Sequence, residues 1–173
     1  MVNTVIQNYA QIRAKNALNA AKRWNFFGAD GSECMVKRIP NMIIENGLLG
    51  MMTFAMSKCK SESKKDGKKG DTGEEWSKFL TSRPGIECRE DDAKNGKGFA
   101  ELLWALYEHL VAIKDPLLVN RLGVQASNPV EWLKKLVGSD SDELRFETAE
   151  CMAYLAYLRR FAGISCGGQT HEQ

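Results

Sequence analysis

A long helix is predicted over residues 140–163, DSDELRFETAECMAYLAYLRRFAG. Six of its residues recur at alternating steps of four and three, which places them on one face of an α-helix. They are Leu144, Thr148, Cys151, Leu155, Leu158 and Ala162. Asp140 is a good N-cap with Glu143 three residues on, and Gly163 is the predicted stop. The stretch therefore indicates a helix that packs against other helices.

Helical patterns also cover most of the chain before this segment. The first helix is predicted from Asn3 to Phe27, with a face made mainly of alanine and with Asn16 off that face. A break is expected near Ile39, because Pro40 disfavours helix at the residue before it. Gly47 is the next stop signal. Further helices are predicted over 48–60, 73–82, 99–114, 116–123 and 129–138.

The composition supports an all-α fold. The 173 residues contain 16 Leu and 16 Ala against 8 Val and 8 Ile, so helix-favouring residues outnumber β-branched ones. Unbranched side chains lose little freedom in a helix. We expect one compact all-α bundle of six to seven helices over residues 1–163. Polar loops are expected near 61–72 and 83–98, and a flexible tail over 164–173.

The sequence argues against several classes of protein. Its longest apolar stretch, residues 48–56, is about half of the roughly 20 residues that a membrane-spanning helix needs. Residues 1–10 lack the pattern of a signal peptide. The 5 Cys are odd in number and form no C-x-x-C, which is typical of free thiols in a reducing compartment. We therefore expect a cytoplasmic protein that does not associate with membranes.

Charge is distributed unevenly along the chain. The net charge is only +2, yet residues 1–69 hold 12 basic and 5 acidic residues, a net charge of +7. Residues 70–173 hold 12 basic and 17 acidic residues, a net charge of −5. A basic half is typical of phosphate binding. The lysine-rich loop over 58–69 alone is typical of a solvated loop, whereas basic residues on helices are held at fixed spacing.

No catalytic constellation is apparent in the sequence. Glu90-Asp91-Asp92 offers oxygen ligands for a cation, but no partner ligands follow at a recognisable spacing. His109 beside an apolar stripe is typical of a boundary residue. Cys59 lies beside lysines, which favour a lowered thiol pKa, but has no His or acid partner in sequence. We therefore expect a protein that is not an enzyme and that uses no metal and no cofactor.

Three separate blocks of the sequence resemble one known family. Residues 13–17, RAKNA, lie in the first predicted helix. Residues 37–49, KRIPNMIIENGLL, are followed by TFA at 53–55, and residues 147–162, ETAECMAYLAYLRRFA, lie in the last helix. In this order the blocks resemble the small α-helical subunit of the type III-B CRISPR effector complex, the fifth protein of the Cmr set.

The resemblance implies a non-catalytic subunit of an RNA-guided, RNA-targeting antiviral complex. Copies of such a helical subunit stack head to tail into a minor filament beside the backbone subunits that carry crRNA. The implied partners are crRNA, target RNA, the other Cmr subunits, especially the backbone subunit, and copies of the chain itself. The residues expected to contact RNA phosphates are Arg13, Lys22, Arg23, Lys37, Arg38, Arg159 and Arg160.

Two alternatives stay open at the level of sequence. The first is the small subunit of a type III-A CRISPR effector complex, which is also helical and contacts RNA. The second belongs to another class, a metal-dependent nuclease that uses Glu90, Asp91 and Asp92.

Overall fold

A computed structural model of the chain describes residues 8–24, 26, 35–59, 97–112 and 126–166. These residues form five helices and no strand. The helices are α1 (Tyr9–Arg23), α2 (Met35–Lys58), α3 (Lys97–Tyr107), α4 (Pro129–Gly138) and α5 (Ser141–Cys166). A π-helical turn, Glu108–Ala112, continues α3. The predicted all-α class is confirmed, whereas the predicted helices at 73–82 and 116–123 lie outside the described residues.

The first helix is shorter than the sequence predicts. Asn8 has an extended backbone and caps α1, because its side chain accepts a hydrogen bond from the Gln11 N–H at 2.9 Å. The Gln11 side chain accepts in return from the Asn8 N–H at 3.0 Å. At the other end Trp24 is extended again. The prediction of one helix from Asn3 to Phe27 is therefore wrong, because local capping at Asn8 fixes the start.

The second helix passes through Pro40 and bends at Gly47. Val36, Ile39 and Ile43 are all buried on one face of α2. Burial of this stripe offsets the hydrogen bond that Pro40 removes, so the predicted break near Ile39 is wrong. Gly47 has φ 72° and ψ 170°, a non-helical conformation that divides α2 into two helical stretches, so the predicted stop at Gly47 is confirmed.

The two last helices begin where the sequence predicts. Asn128 caps α4 with Pro129 in its first turn, and its side chain accepts from the Glu131 N–H at 3.0 Å. Asp140 caps α5, since its Oδ1 accepts from the N–H groups of residues 142 and 143. The helix continues beyond the predicted stop at Gly163 to Cys166.

The core lies between α5 and the helices that pack on it. α1 packs along α5, and α2 packs against both α3 and α5. The apolar stripe predicted beside His109 is confirmed, because Leu102, Leu103 and Leu106 of α3 and Leu110 of the π-helical turn are buried. The largest fully buried side chains include Trp132 and Tyr154. No helix in the described part of the chain is long and apolar enough to cross a membrane.

Candidate nucleic-acid interface

Four of the seven predicted RNA contacts lie at one end of the bundle. Lys22 and Arg23 end α1, and Lys37 and Arg38 lie in the first turn of α2. All four side chains are exposed. We call these four residues the basic corner.

Phe26, which is buried, connects the ends of the two helices. The Phe26 carbonyl accepts from the Met35 N–H at 2.8 Å. The Phe26 N–H donates to Glu101 on α3 at 3.0 Å. Phe26 is buried with φ 53°, a conformation that few residues with side chains adopt. The hydrogen bonds of Phe26 therefore connect the end of α1 to the start of α2 and to α3.

Arg23 forms an ion pair with Glu108, which lies in the π-helical turn after α3. Its Nη1 lies 2.9 and 3.0 Å from the two carboxylate oxygens of Glu108. The guanidinium also lies 5.3 Å from the centre of the Trp24 ring. The Arg23 side chain is still 44% exposed, so solvent and ligands reach it. An anionic ligand at Arg23 has to compete with Glu108.

Arg13 takes part in an ion pair inside the fold. Its Nε and Nη2 donate to the two carboxylate oxygens of Glu150 on α5, with 2.8 Å between Nε and Oε1. The Arg13 side chain is 24% exposed and that of Glu150 is 4% exposed. Arg13 lies ten residues before Arg23, about 15 Å along the helix, so it is not part of the basic corner.

A buried polar cluster extends from this ion pair. His109 Nε2 lies 3.1 Å from Glu150 Oε1, and Nδ1 lies 3.0 Å from the Asn16 amide nitrogen. Since an amide nitrogen donates, Nδ1 accepts and Nε2 carries the proton. The ring stacks on Tyr154 with 4.1 Å between ring centres. His109 is thus a core residue and not the predicted boundary residue, and Asn16 faces the core, contrary to prediction.

Burial and hydrogen bonding change the pKa values in this cluster. Burial lowers the pKa of His109 against the opposing effect of Glu150. Burial alone raises the pKa of Glu150, but the hydrogen bonds from Arg13 and His109 outweigh it and hold the pKa at about 2. The cluster therefore holds an ionised carboxylate between a cation and a neutral imidazole. This arrangement stabilises the fold.

A comparison with protein families identifies the chain. The family model described as CRISPR-associated protein (Cas_Cmr5) matches residues 9–165. The chain belongs to the Cas_Cmr5 family. It is therefore a Cmr subunit, and the predicted resemblance is confirmed. Neither curated proteins nor solved structures gave a significant match.

The two remaining basic residues that were predicted from the family pattern lie apart on α5. Arg159 and Arg160 are exposed in this Cas_Cmr5 chain. They follow Glu150 by nine and ten residues, about 14 Å along the helix. Contact of any of the seven residues with RNA stays a prediction.

Metal and thiol chemistry have little support in the described part of this Cas_Cmr5 chain. Residues 8–24, 26, 35–59, 97–112 and 126–166 contain no group of three His, Cys, Asp or Glu that could hold a metal. The candidate Glu90-Asp91-Asp92 lies outside them. Cys59 is a buried thiol outside any disulfide, and burial raises its pKa to about 12, so the predicted lowering is wrong. Lys58, the lysine neighbour among the described residues, does not offset the loss of solvent.

Sequence reasoning missed the acidic partners of this Cas_Cmr5 chain. Glu108 forms an ion pair with Arg23, and Glu150 forms one with Arg13. Both pairs join residues that are far apart in sequence. The only local signal is that Glu150 stands among apolar residues of the last helix, between Glu147 and Tyr154. Burying an unpaired carboxylate among core residues costs much free energy, so Glu150 indicates that a partner is present. It does not indicate which residue that partner is.

Proposed function

We propose that this Cmr subunit is a non-catalytic structural component of the type III-B effector complex that contacts the crRNA–target RNA duplex. The match over residues 9–165 carries the assignment to the complex. The basic corner supports the contact with RNA, because four exposed cations lie at the end of α1 and the start of α2. Phosphate contacts by such residues are strong at low salt and weaken as salt rises.

The structure refines which predicted residues serve this role. Lys22, Lys37 and Arg38 are exposed, and Arg23 becomes available to phosphate when it leaves Glu108. Arg13 is held by Glu150 and has mainly a structural role in this proposal. Arg159 and Arg160 are exposed on α5, apart from the basic corner. We therefore expect most of the RNA contact to be made by the basic corner.

A charge-matched pair of variants tests the RNA contact. Lys22 and Lys37 are both changed to Ala, and the control changes Lys134 and Lys135 on α4, which are also exposed. Both variants lose two positive charges. RNA binding by the assembled complex is measured across salt concentrations. For the Lys22→Ala/Lys37→Ala variant, the slope of log affinity against log salt concentration is expected to become shallower by about two units or less. Its affinity for RNA is expected to fall roughly three- to tenfold. Equal affinities for the two variants contradict the proposed contact.

Stacking of copies is part of the same proposal. The start of α5 exposes Asp140, Asp142 and Glu143, and the basic corner offers the opposite charge. Contacts of this kind weaken with salt, because exposed charges are screened within about 8 Å at physiological ionic strength. Sedimentation of the pure protein at low and high salt tests this. Self-association that is indifferent to salt contradicts a charge-based contact.

The family match favours the Cmr complex over the type III-A alternative. The nuclease alternative depends on Glu90, Asp91 and Asp92, which lie outside the described residues. RNA cleavage by the pure protein that disappears in an Asp91→Asn/Asp92→Asn variant supports the nuclease. A protein without cleavage activity at any divalent metal concentration supports the structural role.

A further inference from the structure

Two glutamates of α3 and its continuation contact the end of α1. Glu101 Oε2 accepts the Phe26 N–H at 3.0 Å, just beyond α1. Glu108 forms its ion pair with Arg23 in the last turn of α1. The two glutamates are seven residues apart, about two helical turns, so both lie on the side of α3 that faces α1. They differ in burial, since Glu101 is 5% exposed and the Glu108 side chain is 19% exposed.

Phe26 has a backbone conformation that needs support from its surroundings. Its φ of 53° lies in the left-handed region, where a side chain crowds its own backbone. Such a conformation persists only where neighbouring groups determine it. Here the N–H is bonded to Glu101, and the carbonyl accepts from the Met35 N–H at 2.8 Å. The ring is buried and meets Trp24 edge to face, with 6.2 Å between ring centres.

The basic corner lies on both sides of Phe26. Its two members on α1 precede Phe26 by three and four residues, and its two members on α2 follow Met35 by two and three. The Met35 N–H belongs to the start of α2, where N–H groups have no partner within the helix, and the Phe26 carbonyl supplies one. Phe26 thus joins the two halves of the basic corner, and Glu101 joins Phe26 to α3.

The buried carboxylate makes this second connection a strong one. Burying a carboxylate is costly unless it accepts hydrogen bonds, and a hydrogen bond to an ionised group is stronger than one between neutral groups. Loss of the Glu101 carboxylate therefore leaves the Phe26 N–H without its acceptor and weakens the support of the left-handed conformation.

We propose that Glu101 is a positioning residue for the RNA contact of the basic corner. Its carboxylate holds the Phe26 backbone, and that backbone sets the spacing between the cations of α1 and those of α2. Glu101 is buried, so it acts on RNA through the backbone that it holds. This inference rests on the proposed function, because it assigns a role in the RNA contact that the proposed function contains.

Charge and position predict opposite effects of changing Glu101. A negative charge near phosphates repels them, so charge alone predicts that any loss of the carboxylate raises RNA affinity. Loss of the acceptor predicts a lower affinity, because the cations no longer keep their spacing. Glu101→Gln removes the charge and keeps an oxygen that accepts the Phe26 N–H, whereas Glu101→Met removes both. The two variants therefore separate the effect of position from that of charge.

RNA binding by the assembled complex, measured by filter binding at low salt, tests the positioning role. Glu101→Met is expected to weaken RNA affinity about three- to tenfold, and Glu101→Gln to stay within about twofold of wild type. Glu147→Met is the matched control. Glu147 is also a buried carboxylate, 1% exposed, but its hydrogen-bond donor is Trp132 on α4. The control is expected to leave RNA affinity within about twofold of wild type.

A second variant breaks the same connection without changing a charge. Met35→Pro removes the N–H that donates to the Phe26 carbonyl, and proline is well tolerated at the first position of a helix. It is expected to lower RNA affinity, as Glu101→Met does.

Hydrogen exchange of the Phe26 amide reports on the connection directly. It is followed by NMR on the full chain. Exchange is expected to be at least about tenfold faster in Glu101→Met than in Glu101→Gln or Glu147→Met, because only the first variant removes the acceptor.

Failure of this inference and failure of the proposed function give different results. RNA affinity of Glu101→Met that equals that of Glu147→Met, or that rises, overturns the positioning role. The proposed function then stands alone if affinity still falls in the Lys22→Ala/Lys37→Ala variant. Affinity that survives that lysine variant contradicts the proposed function, and the role of Glu101 in RNA contact falls with it. Equal Phe26 exchange in all three glutamate variants overturns the inference whatever the affinities are.

Discussion

Arg13 on α1 and Glu150 on α5 form a two-point ion pair between residues 137 positions apart, with Nε 2.8 Å from Oε1. The pair joins the basic half of the chain to the acidic half. Arg23 and Glu108 do the same across 85 positions. Part of the +7 and −5 division in the sequence is therefore neutralised inside the fold. The surface that remains basic is smaller than the sequence count suggests.

The Arg13–Glu150 pair is expected to stabilise the fold. We predict that Arg13→Met lowers the free energy of unfolding by about 2 kcal/mol, less than for a fully buried pair because Arg13 is partly exposed. Urea denaturation of the single and double variants with Glu150→Gln measures the coupling, expected at about 1–2 kcal/mol. Arg145→Met is the control, since Arg145 is 81% exposed and 3.7 Å from Asp142. Equal losses at the two arginines contradict this assignment.

Glu147 is expected to make the protein less stable as pH rises. Its carboxyl accepts a hydrogen bond from Trp132 Nε1 at 3.1 Å, while Oε1 is buried without a partner. Burial raises its pKa from 4.5 to about 7. The folded state thus holds a proton more tightly than the unfolded state. Its contribution is full below pH 4.5 and is lost as pH rises through 7, with a limit on the order of 3 kcal/mol.

The comparison of wild type with Glu147→Gln isolates this effect. His109 acts in the opposite direction, because its lowered pKa favours the folded state as pH rises toward 6.5. It is present in both proteins, so it cancels in the difference. The free energy of unfolding of Glu147→Gln relative to wild type should increase between pH 5 and 8. A difference that is constant over this range contradicts a buried, protonated Glu147.

Glu150 is expected to make the stability of the protein depend on pH below pH 4.5. Its pKa is held at about 2, so its contribution is full above pH 4.5 and is lost as pH falls from 4.5 toward 2. Acid titration of the wild-type protein, followed by circular dichroism, should show unfolding as the pH falls. The stability of the Glu150→Gln variant should depend less strongly on pH over the same range. The Glu143→Gln variant, changed at an exposed site, should keep the wild-type acid transition.

Glu108 is expected to restrain RNA binding. Because its carboxylate pairs with Arg23, Glu108→Gln releases the guanidinium and removes a negative charge near the basic corner. Exposed ion pairs contribute about 0.2–1 kcal/mol, so RNA affinity should rise by about 1.4- to fivefold. Filter binding at low salt measures this, with Glu143→Gln as a control of equal charge change. Identical affinities for both variants show that Arg23 does not meet RNA.

Gly47 is expected to tolerate no side chain. It has φ 72° and ψ 170°, and a Cβ built there meets no atom within 4 Å, so a penalty arises from the backbone alone. We predict that Gly47→Ala lowers the free energy of unfolding by about 2 kcal/mol. Gly138 also has open space but lies in α4 without a positive φ, and Gly138→Ala should raise stability by about 0.5 kcal/mol. Urea denaturation that gives both variants the same change rules out this explanation.

Local signals predicted the helices well where they were strong. Asn128 and Asp140 cap α4 and α5 as expected, because an N-cap depends on residues three positions apart. Pro40 shows where such signals fail. A proline disfavours helix locally, but the buried face of Ile39 and its neighbours outweighs it through contacts that the local sequence does not contain.

The sequence by itself determined the all-α class, most helix starts, the family and the excess of basic residues in its first half. Each of these depends on composition or on residues within a few positions of one another. Only the tertiary structure decided which charges remain available. Arg13 and Arg23 meet their glutamates because α1 packs beside α5 and near the end of α3, and helix packing brings together residues that no spacing in the sequence relates.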